Sequence, residues 1–418
     1  MTTAGTSLPT AKPGSLDEQL LSRDFLQDPY PTHRRLRRED PVHWCEPWRM
    51  WMVSRYEDVR TVLLKDGTTF SAVGQTSAAL AHLSSVEHSQ LESLQRIFSA
   101  GLLWSDPPDH TRIRSAVNKA LTPHDAERMR PRLDGIIASV VDELPVGEAF
   151  DFVERVAAPV PVSVLAALLG IRDEDVPRFR AWADTLAAFI GSPRPTADLA
   201  LAAQACVLEA GEFIGWLRER RRREPTDDVI TRLVTEPRAT DALTDDEFTA
   251  TIIVLLVGGH RTTTALIASS ILALAHHPDQ ERALRGQPSL ITTAVEEFLR
   301  FEGPHQRTIR IAREDSSIGD RPVATGEVVA LRNGAANRDP DQFPDADDLR
   351  LDRTPNRHLA LSAGLHFCIG APLARLEGAS AVTAMLRRFS RLEVLEDEPS
   401  WLENYTLRSL TRLTIRGS

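Results

Sequence analysis

The chain has 418 residues, room for one oversized domain or two ordinary ones. Hydrophobic residues make up 42% and charged residues 26%, the ordinary balance of a globular protein. A formal net charge of −10 argues against nucleic acid or a membrane surface as the main partner, because both attract cationic faces.

Three cysteines, Cys45, Cys206 and Cys368, are widely separated, and no Cys-x-x-Cys pair occurs. A disulfide framework and a cysteine-rich zinc site are disfavoured, and a reducing cytoplasm is expected. No stretch reads as long and apolar enough to span a bilayer, and the N-terminus has no apolar signal core.

Residues 1–15, rich in Thr, Pro, Gly and Ser, read as a flexible tail, and residues 16–418 as a single domain. Alternation predicts a strand near 49–56. From Phe152 to Leu217 the chain is Ala- and Leu-rich with helical spacing. Arg218 to Arg223, almost wholly basic, reads as a solvated helix end with cations near the negative pole.

The clearest helix begins at Thr244. Thr244 and Glu247 form a capping box, and the run that follows is apolar on nearly every side, which predicts a buried helix. Stopping before Pro278, it spans roughly thirty residues, or about 45 Å. Gly258 and Gly259 interrupt it, each costing about 1 kcal/mol relative to alanine, followed by His260, Arg261, Thr262, Thr263 and Thr264. Gly258 and Thr262 share a face. A backbone groove beside a hydroxyl leaves room for a small ligand, and the Thr262 hydroxyl can bond the preceding turn and open the helix locally. Close packing on a neighbouring element explains the glycines equally well.

Further strands are predicted near 307–312, 327–332 and 411–416. Between the last two, Cys368 stands two residues after His366, with Gly364 and Gly370 on either side and Ala371–Pro372 suited to opening a helix. By itself such a cysteine suits a buried structural thiol. A zinc module is weaker still, lacking two more ligands at finger spacing.

Taken together, these segments resemble the cytochrome P-450 superfamily of haem-thiolate monooxygenases from about Asp28 to the end. In order, the motifs are DPYPTHRRLRREDPVHW, SDPPDHTRIR, VGGHRTTTA, EEFLR, ANRDPDQFPDADDLRLDR and SAGLHFCIGAPLAR. The resemblance implies a mainly α fold with small β-sheets, a single haem domain over 16–418, and a long central helix over haem b (iron protoporphyrin IX). Cys368 is then the metal ligand, an axial thiolate held ionised by a helix N-terminus and promoting O–O cleavage. His110, Arg114, Arg310 and His366 take the positions of donors to the two propionates. Gly258 and Gly259 are expected beside the haem, and Gly364 and Gly370 to let backbone approach it. Glu297, Arg300 and Arg353 match a buried structural triad. Thr262 matches the oxygen-activating threonine.

The chain departs from the family at several points. Arg261 stands where an acid is usual, preceded by His260. Either the proton comes through water, His260 or the substrate, or Arg261 binds a substrate carboxylate, or Arg261 points away and pairs with an acid. Leu361 and Ser362 replace Phe and Gly, and Leu121 replaces a common Phe. The implied activity inserts one oxygen atom from O2 into a small organic secondary-metabolite intermediate, with anionic substrates gaining weight from Arg261. Electrons are expected from ferredoxin and ferredoxin reductase, docking near Arg112, Lys119 and Arg375 on a cytoplasmic monomer. The pocket is expected along Ser71–Leu103, Arg178–Ala200, Leu255–Thr262, Pro304–Ile309 and Asn404–Leu407. The rival readings are a haem-thiolate enzyme performing peroxide-driven oxidation, oxidative coupling or desaturation, and a non-enzymatic haem or gas-binding protein.

Overall fold

The computed structural model describes residues 12, 14–235 and 242–418. The tail expected at 1–15 lies outside the described residues apart from 12, 14 and 15; Ser15 already caps the first helix, Leu16–Leu21.

The fold is mainly helical with small sheets, as expected. The largest sheet has five strands in the order Val42–Cys45, Met50–Val53, Val328–Leu331, Thr308–Ala312 and Phe70–Ser71. Its one parallel pairing sets Met50–Val53 against Val328–Leu331. Three predicted strands fall in this sheet or at its edge. The fourth, Thr414–Gly417, lies between Ala149–Asp151 and Leu392–Val394. In Thr308–Ala312 the alternation turns Thr308, Arg310 and Ala312 to the buried side, so a strand places one arginine, Arg310, in the interior.

The central helix runs from Asp245 to His276, 32 residues, and the Thr244–Glu247 capping box is fully formed. It packs on Pro159–Leu169, Val176–Gly191, Ala197–Arg223, Ile291–Phe301 and Ala371–Arg388. Its first half, through Leu256, belongs to one hydrophobic core, and its second, from Leu266, to another. Between them Gly258 is exposed in the middle of an otherwise buried helix.

Two sequence expectations need correction. Ala197–Arg223 and Asp245–His276 are both long and apolar enough, by length and composition, to cross a membrane. The second passes because a core helix buried on all sides carries the same composition as a membrane span. The basic run is also not uniformly solvated. Arg222 and Arg223 are exposed, but Arg221 is buried, with Nε 2.5 Å from Asp228 Oδ2 and Nη2 2.7 Å from the Gly170 carbonyl.

Glu297 ties the helix Ile291–Phe301 to the long loop after residue 337. Its carboxylate accepts from Arg300 Nε and Nη2 at 2.8 and 2.7 Å, from Arg353 Nε at 3.1 Å, from the Arg350 N–H at 2.9 Å and from Asn356 Nδ2 at 3.0 Å. Arg300 and Arg353 spend their other donors on loop carbonyls, including Ala346 and Pro344 at 2.7 Å. All three charged groups are buried, so removing the single anion strands two cations. Glu297→Gln is expected to cost about 3–5 kcal/mol, read as a lower urea midpoint.

Candidate functional site

The cysteine loop runs from Leu361 into the helix Ala371–Arg388. Its register is fixed by the Cys368 N–H donating to the Leu361 carbonyl at 2.9 Å. Gly364 has φ +64°, and a Cβ there would meet the Leu63 carbonyl oxygen at 2.7 Å. The turn and the Leu63 carbonyl are each sufficient to require glycine there. Ser362 also sits at positive φ, +63°, which explains why glycine suits that position better. A Cβ on Gly370 would make ordinary contact with the Cys368 sulfur, at 3.9 Å.

Burial pushes the Cys368 thiol up, while the N–H groups of Gly370 and Ala371 and the charges of Arg114 and Arg375 pull it down. The upward push wins. The helix N-terminus thus softens the cost of a thiolate without securing one, and a bound cation is needed to deprotonate the sulfur outright.

His110, in the first turn of Asp109–Ala120, meets His366 with ring centroids 4.4 Å apart. Both are buried, and His110 Nδ1 and Nε2 and His366 Nε2 have no hydrogen-bond partner among the described residues. Burial and then the neighbouring arginine charges lower His110 to about 4 and His366 to about 2. Neutral rings with idle nitrogens, in the field of Arg114 and Arg310, suit the carboxylates of a bound group. The two arginines are themselves engaged. Arg114 donates to the carbonyls of Leu365 and Phe367 at 3.1 and 2.7 Å, clamping the loop on both sides of His366. Arg310 grips Asp66 with two hydrogen bonds, at 2.5 and 2.7 Å, and Ile309 O with a third. Asp66 was not singled out in the sequence.

On the central helix, Thr262 Oγ1 donates to the Gly258 carbonyl, as its spacing predicted; the helix nevertheless continues unbroken. A Cβ on Gly258 would meet nothing within 4 Å, whereas one on Gly259 would touch Leu165. Gly258 therefore opens onto space, and Gly259 packs against the helix Pro159–Leu169. His260 follows Gly258 by two residues, about 200° around the helix, so it lies on the far side from both Gly258 and Thr262. It is fully buried, neither ring nitrogen has a partner among the described residues, and burial, with Arg261 and Arg180 nearby, takes it down to about 3. Arg261 is turned to the helix Val176–Gly191, with Nε 3.2 Å from Asp184 Oδ1, an ion pair lacking hydrogen-bond alignment. Of the three sequence readings of Arg261, the geometry matches the one that turns it away to an acid.

A cavity of about 790 Å³ opens beside this site. It draws walls from the expected segments near 75–104, 189–194 and 305–309, and also from Trp44, Trp48 and Met50, which the sequence did not suggest. No residue of Leu255–Thr262 lines it. The expected docking cations are muted: Arg112 pairs with Glu247 and with Asp109, and Arg375 grips Glu296 at 2.6 and 2.9 Å. Leu121 is buried among Ile113, Val117 and Ala120, a simple repacking.

A family model described as Cytochrome P450 matches residues 41–413. Among curated proteins, the chain is 36% identical over 417 residues to cytochrome P450 monooxygenase PikC of Streptomyces venezuelae, covering 97% of this chain and 95% of that one. It is 37% identical over 388 residues to mycinamicin IV hydroxylase/epoxidase of Micromonospora griseorubida, covering 91% and 93%. Among solved structures, the tirandamycin C-bound P450 monooxygenase TamI superposes with a TM-score of 0.85 at 33% identity, covering 95% and 99%.

The buried His260 has an acid-stability consequence. Its folded-state value lies below the ordinary 6.5, so as pH falls the unfolded chain takes up the proton first. The stability present above about pH 6.5 is lost as pH falls toward 3. His260→Phe is expected to be no less stable at neutral pH and to lose less on acidification, by up to about 1.4 kcal/mol per pH unit below that point. Urea midpoints of both proteins across pH read this directly.

Proposed function

Because the chain belongs to the cytochrome P450 family, a haem b-dependent group of oxidoreductases, we propose that it is a monooxygenase of a small secondary-metabolite intermediate, with Cys368 as the iron ligand and Thr262 as the residue that handles protons. Haem b, when bound, supplies the iron at which dioxygen is reduced and one oxygen atom is passed to the substrate. The observation that carries the residue assignment is a pair of features in one chain: a cysteine sulfur capped by backbone N–H groups, and an open face at Gly258 on the central helix.

In this reading, Cys368 ligates through Sγ, and the Gly370 and Ala371 N–H groups hold part of its negative charge. His110 and His366 receive the carboxylates, while Arg114 keeps the loop in place and Arg310, neutralised by Asp66, adds little net charge. Gly258 leaves room on its face of the helix. Thr262 gives its own proton to the Gly258 carbonyl, so Oγ1 is left as an acceptor that orients a water in the open space. Arg261 and His260 take no part at that oxygen: one is tied to Asp184, and the other is neutral on the far side of the helix. Protons then reach Thr262 through water or through the substrate.

Electrons come from a ferredoxin and its reductase, to a monomer in the cytoplasm. Because Arg112 and Arg375 already carry carboxylate partners, the docking face is weakly cationic, and association should depend only modestly on ionic strength.

The experiment is turnover of a macrolide panel under labelled dioxygen with ferredoxin and reductase. One labelled oxygen atom is expected in the product. Thr262→Ala should still consume reductant yet form about tenfold less product or lower still per electron pair. Equal turnover with peroxide alone, or product without label, contradicts the monooxygenase reading.

A further inference from the structure

We propose that the cavity of about 790 Å³, whose Arg310 and His366 walls are those assigned above to the haem carboxylates, also takes a substrate carrying a carboxylate, and that Arg307 receives that group. The proposal deepens the functional reading above and rests on this cavity being the substrate chamber.

Arg307 immediately precedes the strand Thr308–Ala312 and lines the cavity. It is 4% exposed. Its Nε donates to Thr406 Oγ1 at 3.1 Å and its Nη2 to the Ile190 carbonyl at 3.4 Å, while Nη1 has no partner among the described residues. Several other buried arginines have anions: Arg300 and Arg353 share Glu297, Arg310 has Asp66, Arg221 has Asp228 and Arg408 has Glu302. Arg307 has no ion pair among the described residues. Buried Arg37 and Arg332 form no ion pair among the described residues either, but neither lines the cavity. Burial, reinforced by Arg332, takes its guanidinium down to about 9, with only Tyr405 opposing. A buried cation without a counter-charge is costly to fold around, and a carboxylate arriving in the cavity would relieve that cost.

The surroundings agree. Arg194, half-buried, donates only to the Pro47 carbonyl, and Arg49 is exposed; both line the same cavity, and neither forms an ion pair among the described residues. The lining acid Glu327 already accepts from Trp51 Nε1 at 2.7 Å and from the Ala324 N–H at 2.9 Å. Those donors are neutral and leave Glu327 charged, but Arg49, Arg194 and Arg307 outnumber it on the lining, so the net charge there is positive. Its walls include Trp48, Phe98, Trp104 and Phe189. A ligand that satisfies both features has an apolar or ring-bearing body and one acidic group. The sequence had assigned this task to Arg261, which instead sits on Asp184.

The test uses the holoprotein and calorimetry with matched pairs, dodecanoic acid against methyl dodecanoate and 4-phenylbenzoic acid against its methyl ester, with dodecyl phosphate as a further arm. The acids are expected to bind about 10- to 100-fold tighter than the esters and tighter than the phosphate. Arg307→Met should abolish the preference while keeping the carbon-monoxide spectrum of the parent. Equal binding of acid and ester, no binding of either acid, tighter binding of the phosphate, or a preference that survives Arg307→Met would each overturn the proposal. Should Arg307→Met lose haem, the ratio is read in Arg307→Lys, where a reduced preference supports the assignment and an unchanged one overturns it. Calorimetry reports the preference whether or not the holoprotein turns over, so failure of the monooxygenase reading and failure of this one remain distinct.

Discussion

The sulfur of Cys368 sits where burial opposes its ionisation and two backbone N–H groups, from Gly370 and Ala371, favour it. Burial prevails over those donors, so a bound cation would decide the charge of the sulfur. Much of the surrounding structure serves to keep that atom in one place. Arg114 holds the loop carbonyls on both sides of His366, Leu361 takes the Cys368 N–H, and Gly364 presses its backbone against Leu63. Behind the loop, the buried Glu297 carboxylate binds Arg300 and Arg353 and fixes the long irregular segment to a helix. That clamp contributes geometry, and none of its members reaches the cavity.

The unpaired polar atoms are as informative as the paired ones. Buried polar groups normally find partners within the fold. Here His110 and His366 leave ring nitrogens idle, and Arg307 leaves a guanidinium nitrogen idle. The histidines lie beside the cysteine loop, and Arg307 on the cavity wall. His260 is a further idle imidazole, inside the helix packing, where it weakens the fold toward acid.

The central helix was legible from sequence because an all-round apolar run bounded by a capping box has few alternative structures, and Thr244 and Glu247 paired as their spacing implied. The same completeness misled the membrane criterion, since a core helix and a membrane helix share one composition. Thr262 bonding Gly258 followed from the four-residue period. What did not follow were contacts between distant segments. Asp184 for Arg261, Asp66 for Arg310 and Leu63 for Gly364 are partners that only tertiary packing supplies. Gly259 and His260 were grouped with Gly258 by adjacency along the chain, but a helix sends neighbours in different directions. The cavity wall from Trp44 to Met50 was missed because its hairpin reaches the site by sheet pairing with the distant strand Val328–Leu331.

Ligation by sulfur is tested most directly by the carbon-monoxide difference spectrum of the reduced holoprotein, compared with that of Cys368→Ala. The wild type should give the long-wavelength band of a thiolate-ligated haem, and the variant should lose it. A wild-type protein that binds haem without that band, or a variant that keeps it, would contradict the assignment of Cys368.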